Sequence, residues 1–286
     1  MDITFRTAAA TRSLAAVAAL LVIVNLALQV VRWSGDHQNI LGLLDLFDLN
    51  REKNVPTLFA TVLLSISAVL LVANGGFARA AALPAAGWFG LAALFAYFAV
   101  DEAWQLHERL VRPLRTMLPT EAPAWTHFAW VIPGGMLVAI VGVLYLQFLR
   151  RLHPVTRRRI IVAGCVYVAG ALGMEMVDGA WAATHGQDNL VYSLLTTIEE
   201  GLELTGLVLF TRALLDNLAV SGRSLALRLD AEGHLRLTIG PRYFVPVEAA
   251  AQWQVGDEAV YDRRRVNNLT TFNVQSDRRR ASASVS

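Results

Sequence analysis

Six long apolar runs, each roughly 20 residues, alternate with short polar connections along the chain. They cover about 13–33, 57–76, 85–106, 126–149, 159–182 and 190–211. A helix rises about 1.5 Å per residue, so about 20 apolar residues cross the hydrocarbon of a bilayer. The pattern predicts an all-α polytopic membrane protein, with six transmembrane helices in a bundle over residues 1–217. After about residue 218 the period shortens to two. Ser224–Leu229 and His234–Ile239 alternate apolar and polar residues around Asp230-Ala-Glu-Gly233, which predicts a small cytoplasmic β-hairpin tail within 218–265. Further strand is expected near Tyr243–Val247 and Ala259–Tyr261. Residues 266–286 end in a small, polar, arginine-bearing stretch and are expected to be a disordered tail.

Composition agrees with a lipid bilayer as the main partner. The 286 residues are 55% hydrophobic and only 17% charged, where a soluble domain has about a quarter charged. A net charge near +2 provides no broad basic field, so nucleic acid is excluded as a partner. Cys165 is the single cysteine, so no intramolecular disulfide forms; it reads as an apolar filler in mid-helix. The first run follows Arg6 and Arg12 as a signal peptide would, but its apolar core exceeds about 7–15 residues and no small-x-small cleavage site follows. It reads as a retained span.

Short basic loops stay on the cytoplasmic side. The densest such loop holds Arg150, Arg151, His153, Arg157, Arg158 and Arg159, between the fourth and fifth spans. Both termini then lie inside. Trp33, Trp104, Trp125, Trp130 and Trp181 fall at the outer boundary, as an aromatic belt does. The outer connection 34–56 is partly apolar and is expected on the membrane surface or folded onto the bundle, with Pro56 opening the second span. Pro113, Pro119 and Pro123 interrupt the second outer connection, 107–125.

The candidate chemistry lies where polar residues enter the apolar runs. Asp101 and Glu102 sit on the third, Glu175 and Asp178 on the fifth, and Glu199, Glu200 and Glu203 on the sixth. A charge at the bilayer centre costs several kcal/mol, so three spans carrying such residues point to a shared site. At 1.5 Å per residue Asp101 and Glu175 lie about 25 Å from the inner ends of their spans, Glu199 about 20 Å and Glu203 about 14 Å. Glu199 and Glu203 share a helical face, as do Glu175 and Asp178, and Asp101 and Glu108, seven residues apart, lie on one face as well. Like charges at one level require protonation, pairing with Arg109 or Arg112, or a bound cation. His107 and His127, with His185 beyond them, extend the carboxylates into a mixed nitrogen and oxygen donor set suited to a divalent metal such as Zn, Fe or Mn. The metal-site candidates are Asp101, Glu102, His107, Glu108, His127, Glu175, Asp178, Glu199 and Glu203. Gly170, Gly173 and Gly179 around Glu175, and Gly201 and Gly206 around Glu203, allow close helix approach. Asp48-Leu-Asn50-Arg-Glu52-Lys-Asn54 has the alternating oxygens of a calcium loop but lacks its glycine and distal glutamate; it reads as a polar turn, with Asp45 and Asp48 placed to cover the acidic site.

Phe47-Asp-Leu-Asn-Arg-Glu-Lys-Asn-Val-Pro-Thr57 and Asp101-Glu-Ala-Trp-Gln-Leu-His-Glu108 resemble an uncharacterised family of bacterial multipass inner-membrane proteins. The resemblance covers roughly 40–210 and implies a multipass inner-membrane location, with no activity to transfer. Other motifs exclude classes. There is no Glu-x-x-His of ferritin-like sites, no His-x-x-x-His as in membrane zinc hydrolases, and no Gly-x-Ser-x-Gly or His-Glu-x-x-His.

Three function classes remain. The first is a metal-binding membrane protein, extending to a metal-dependent enzyme in which a bound water attacks. The second is a proton- or cation-coupled transporter. The third is a non-catalytic sensor or assembly component whose cytoplasmic tail docks a protein partner.

Overall fold

The computed structural model describes residues 3–4, 7–35, 41–220, 223–229 and 235–241. After a two-residue strand β1 (Ile3–Thr4) the helices are α1 (Thr7–Ser34), α2 (Leu43–Phe47), α3 (Val55–Ala80), α4 (Ala86–Trp104), α5 (Leu106–Met117), α6 (Val131–Arg151), α7 (Pro154–Val168), α8 (Glu175–His185) and α9 (Leu190–Val220). A 3-10 turn at Ala124–Thr126 precedes α6, and a π-helical turn, Ala169–Met174, joins α7 to α8. Strands β2 (Arg223–Leu229) and β3 (Leu235–Pro241) pair antiparallel, with Leu227 opposite Leu237, and β1 pairs with β2.

Among the described residues, four helical stretches are long and apolar enough to cross a membrane: α1, α3, α6 and the run Pro154–His185. Helices α4 and α9, expected as two further spans, are not among them. Helix α9 carries Glu199, Glu200 and Glu203, and α4 ends in Asp101 and Glu102; these carboxyls lower the apolarity of the two helices. The turn of the expected hairpin, 230–234, and the segments expected as further strand and disordered tail lie outside the described residues.

Helix α9 is the axis of the bundle. At one end Leu70, Leu71, Trp88, Ile160, Phe210 and Leu214 bring α3, α4 and α7 around it. Midway, Ala18, Leu63, Leu64, Ala99, Leu204 and Leu207 add α1. Lipid tails are as apolar as leucine, so close packing and polar ties hold such helices together. The ties are present. Asn25 Nδ2 of α1 donates to Thr197 Oγ1 of α9 at 2.7 Å, and Ser67 of α3 meets Thr211 of α9 at 3.0 Å. Outward-facing Leu20, Ile23, Val69, Val143 and Leu144 are exposed, as a lipid-facing shell requires. Cys165, expected as a buried filler, is also exposed.

Asn54 caps α3 by accepting from Thr57 N at 3.1 Å, and Pro56 occupies its first turn, where a missing N–H is tolerated. Pro113 lies inside α5 without ending it; the helix stops at Met117, before Pro119.

Candidate functional site: a carboxyl centre around α9

Gln105 breaks the helix after α4. Its backbone is left-handed, at φ 55° and ψ 48°, and α5 starts anew. This turn returns His107 to Asp101: the His107 N–H donates to Oδ1 at 3.0 Å, and Nδ1 stands 2.7 Å from Oδ2. The alignment of Asp101 with Glu108 assumed an unbroken helix, and the kink replaces it with the Asp101–His107 pair. The His107 ring lies 4.8 Å from that of Trp130. Trp130 Nε1 in turn donates to Glu175 Oε1 at 3.0 Å. Trp130, expected in an interfacial belt, is thus a link inside the site. Burial pulls the His107 imidazolium down, but the Asp101 hydrogen bond and charge, with Glu175 and Glu108, outweigh it and hold the group up to about 9.

The π-helical turn precedes Glu175 immediately. Such turns are rare and recur at functional sites. Here Gly170 lies so close to α9 that an added Cβ would come within 2.8 Å of the Glu199 carbonyl and 2.9 Å of Glu203 Cγ. Gly206 on α9 is likewise pressed against Tyr167, 2.7 Å from its backbone nitrogen by the same measure. Gly201 has room, with only Val22 at 3.7 Å, and Gly173 is not a contact point between helices. Two of the five expected glycines therefore make the close crossing, and Gly179 packs on His127 and Phe128.

This crossing brings three carboxyls together. Glu199 has Glu175 and Asp178 as its acidic neighbours. Asp178 is 1% exposed and Glu199 8%, and neither Asp178 oxygen receives a donor from any other group among the described residues. Three ionised carboxylates have only acceptors to offer one another. A proton on one of them converts the contact into a carboxyl–carboxylate hydrogen bond. Glu203 adjoins the same centre, with Glu102, Glu175, His107 and Glu52 as its charged neighbours.

Glu52 was not singled out as part of the site. It arrives on the connection before α3, which is strapped to the bundle. Gln29 Nε2 donates to Asp48 Oδ1 at 2.9 Å, the Leu49 N–H donates to Asn25 at 3.2 Å, and Asn54 donates to the Asp48 carbonyl at 2.7 Å. Arg32 and Arg51 flank Asp48 at 3.9 and 3.5 Å. The polar alternation of this segment thus serves a buried turn. Asp48 is fully covered, and burial pushes its carboxyl up against the opposing pull of the Asn50 N–H, Arg51, Arg32 and Gln29. Glu52 accepts from Thr57 Oγ1 at 3.2 Å; burial raises it, and Glu108 repels it further while His107 opposes.

The remaining candidates stand apart. His127 packs against Phe128, and its carbonyl accepts from Arg115 at 3.0 Å; burial and the Arg115 charge both lower its pKa. His185 is exposed, stacked on Trp181 at 3.9 Å and paired with Thr184. Glu108 is exposed. No group of three His, Cys, Asp or Glu side chains among the described residues is arranged to hold a metal ion. The donors are engaged in pairs instead, Asp101 with His107 and Glu175 with Trp130.

Beneath the centre the bundle is apolar. Leu63, Leu64, Leu204 and Leu207 are almost completely buried and separate Glu203 from the next polar layer. That layer joins Ser67 to Thr211, and Asn74 to Asn217 at 2.7 Å. Asn217 accepts from Thr156 at 3.0 Å, and Asp216 pairs with Arg159 at 2.7 Å.

The chain belongs to a family described as a domain of unknown function (DUF8692), whose profile matches residues 14–218. No curated protein and no solved structure matches it.

Proposed function

We propose, from the premise that the chain is a DUF8692 member, that it is a multipass protein of a bacterial inner membrane whose carboxyl centre takes up and holds protons from the outer face. In this reading α4 and α9 also span the bilayer, as polar members of a six-helix bundle with both termini cytoplasmic. The basic stretch Arg150–Arg159 supports that orientation. The Glu175–Asp178–Glu199 cluster is then tolerated in the membrane because shared protons cancel its charge.

The observation that carries the reading is Asp178: a buried carboxyl with no donor for either oxygen among the described residues, beside a second buried carboxyl. The leucine layer under Glu203 favours a one-sided, proton-responsive component over a through-membrane carrier. Trp130 provides an intrinsic reporter, since its indole N–H is bonded to Glu175.

The test uses the full chain in liposomes with a pH-sensitive dye inside. An outside pH step is expected to change tryptophan fluorescence, and Trp130→Phe to remove most of that response. Internal pH is expected to follow protein-free vesicles. Proton flux that disappears in Glu203→Gln would establish the carrier reading instead. Stoichiometric divalent metal that is lost in Glu175→Gln would establish the metal reading instead.

A further inference from the structure

Helix α5 has an apolar face and a basic face. Leu106, Leu110, Pro113, Leu114 and Met117 recur at helical spacing on one side. Arg109, Arg112 and Arg115 occupy the other with Glu108. No residue of α5 is buried, and Met117 is 78% exposed. A helix this amphipathic with its apolar stripe uncovered is unstable facing water and equally misplaced in hydrocarbon. Trp104 just before it and Trp125 just after it are both exposed, and indoles gather at the headgroup level.

The polar face narrows the choice of partner. Arg115 donates to the Thr126 and His127 carbonyls, at 3.3 and 3.0 Å, and so ties α5 to the turn that leads into α6. Arg109 and Arg112 make no ion pair among the described residues. They are three apart, on neighbouring positions of one face. Guanidinium forks match phosphate oxygens.

We infer that α5 is an interfacial helix that lies in the lipid headgroup layer, its leucine and methionine stripe in the acyl boundary and Arg109 and Arg112 on the phosphates of anionic glycerophospholipids. The occupant is the lipid surface itself. A protein partner would be expected to present carboxylates to these arginines, and a free anion would leave the apolar stripe uncovered. Neither arginine belongs to the carboxyl centre, so the lipid contact does not depend on its protonation.

The test places a spin label at Met117→Cys in a Cys165→Ser background of the full chain. Nanodiscs of phosphatidylcholine alone are compared with discs containing phosphatidylglycerol. The label is expected to be relaxed by oxygen and shielded from a water-soluble nickel chelate. Thermal stability is expected to rise with phosphatidylglycerol. Arg109→Gln with Arg112→Gln is expected to weaken the apparent lipid affinity by about fivefold per arginine. A label open to the nickel chelate in both lipids overturns the inference. So does wild-type stability that is indifferent to headgroup charge, a result that needs no variant to fold. Stabilisation by inorganic phosphate in neutral discs, equal to that by the charged lipid, would identify a free-anion site and also overturn it.

Discussion

Asp178 is held in a place where an ionised carboxylate has nothing to accept from among the described residues. Leaving a buried polar group unsatisfied costs about 1–3 kcal/mol, more for a charge. Asp178→Asn replaces the shared proton with fixed N–H donors of the same shape. It is expected to preserve or raise the melting temperature in detergent, and to abolish any response to outside pH that depends on the α8–α9 contact. A large loss of stability in this variant would show that the Asp178 charge is needed. His107 makes an opposite demand. Its pKa is held up to about 9, above an ordinary imidazole near 6.5, so the folded state binds the proton more tightly. The stabilisation is fully present below about pH 6.5 and is lost as pH rises through about 9. It is on the order of 2 kcal/mol, partly screened by the ring's exposure. Melting curves of the protein and of His107→Gln are expected to converge between those pH values, while parallel curves would contradict the pair. The sequence revealed that carboxylates interrupt apolar runs, because a charge among leucines is costly wherever the helix lies. It did not reveal the Asp101–His107 pair. Gln105 carries no glycine or proline signal for its left-handed backbone, and without that kink the helical phase misplaces both residues.

At the scale of elements, two glycines and one π-helical turn set the geometry of the site. An added Cβ at Gly206 would meet the Tyr167 backbone, which cannot rotate aside as a side chain can. Gly206→Ala is expected to force α7 from α9 at a cost of about 1–3 kcal/mol, while Gly201→Ala, with only Val22 at 3.7 Å, is expected to be near neutral. Equal effects in thermal melting would contradict the close crossing. The π turn adds a residue to the Pro154–His185 run and so sets the helical phase of α8. Inserting one alanine between Met174 and Glu175, beyond the residue the π turn already absorbs, should rotate α8 by about 100°, one residue of helical turn, and carry Glu175 away from Trp130. The expected readout is loss of the pH-dependent tryptophan signal with helix content unchanged; an unchanged signal would contradict a positioning role. Long periodic runs made the helices legible. The π turn was not, because an extra residue per turn leaves the apolar composition unchanged. Nor was the role of Glu52, which depends on a connection folding back through Asp48 and Asn25 rather than on any local period.

Across the whole molecule the decisive feature is asymmetry. Acidic groups from α4, α8, α9 and the connection before α3 gather at one level. A leucine layer closes the space below them, and a separate, hydrogen-bonded Asn74–Asn217–Thr156 layer holds the other end. The membrane character was written in the composition, but the number of crossing helices was not. The same carboxyls that mark the candidate site depress the apolarity of α4 and α9, so composition alone does not single these two helices out as spans. The most direct measurement is infrared spectroscopy of the purified protein in lipid at neutral pH, recording the carbonyl stretch of protonated carboxyls in H2O and D2O. A band near neutral pH that shifts on deuteration and shrinks in both Asp178→Asn and Glu199→Gln is the expected result. The absence of any such band in the well-folded protein, with all carboxyls ionised, would contradict a proton-sharing centre.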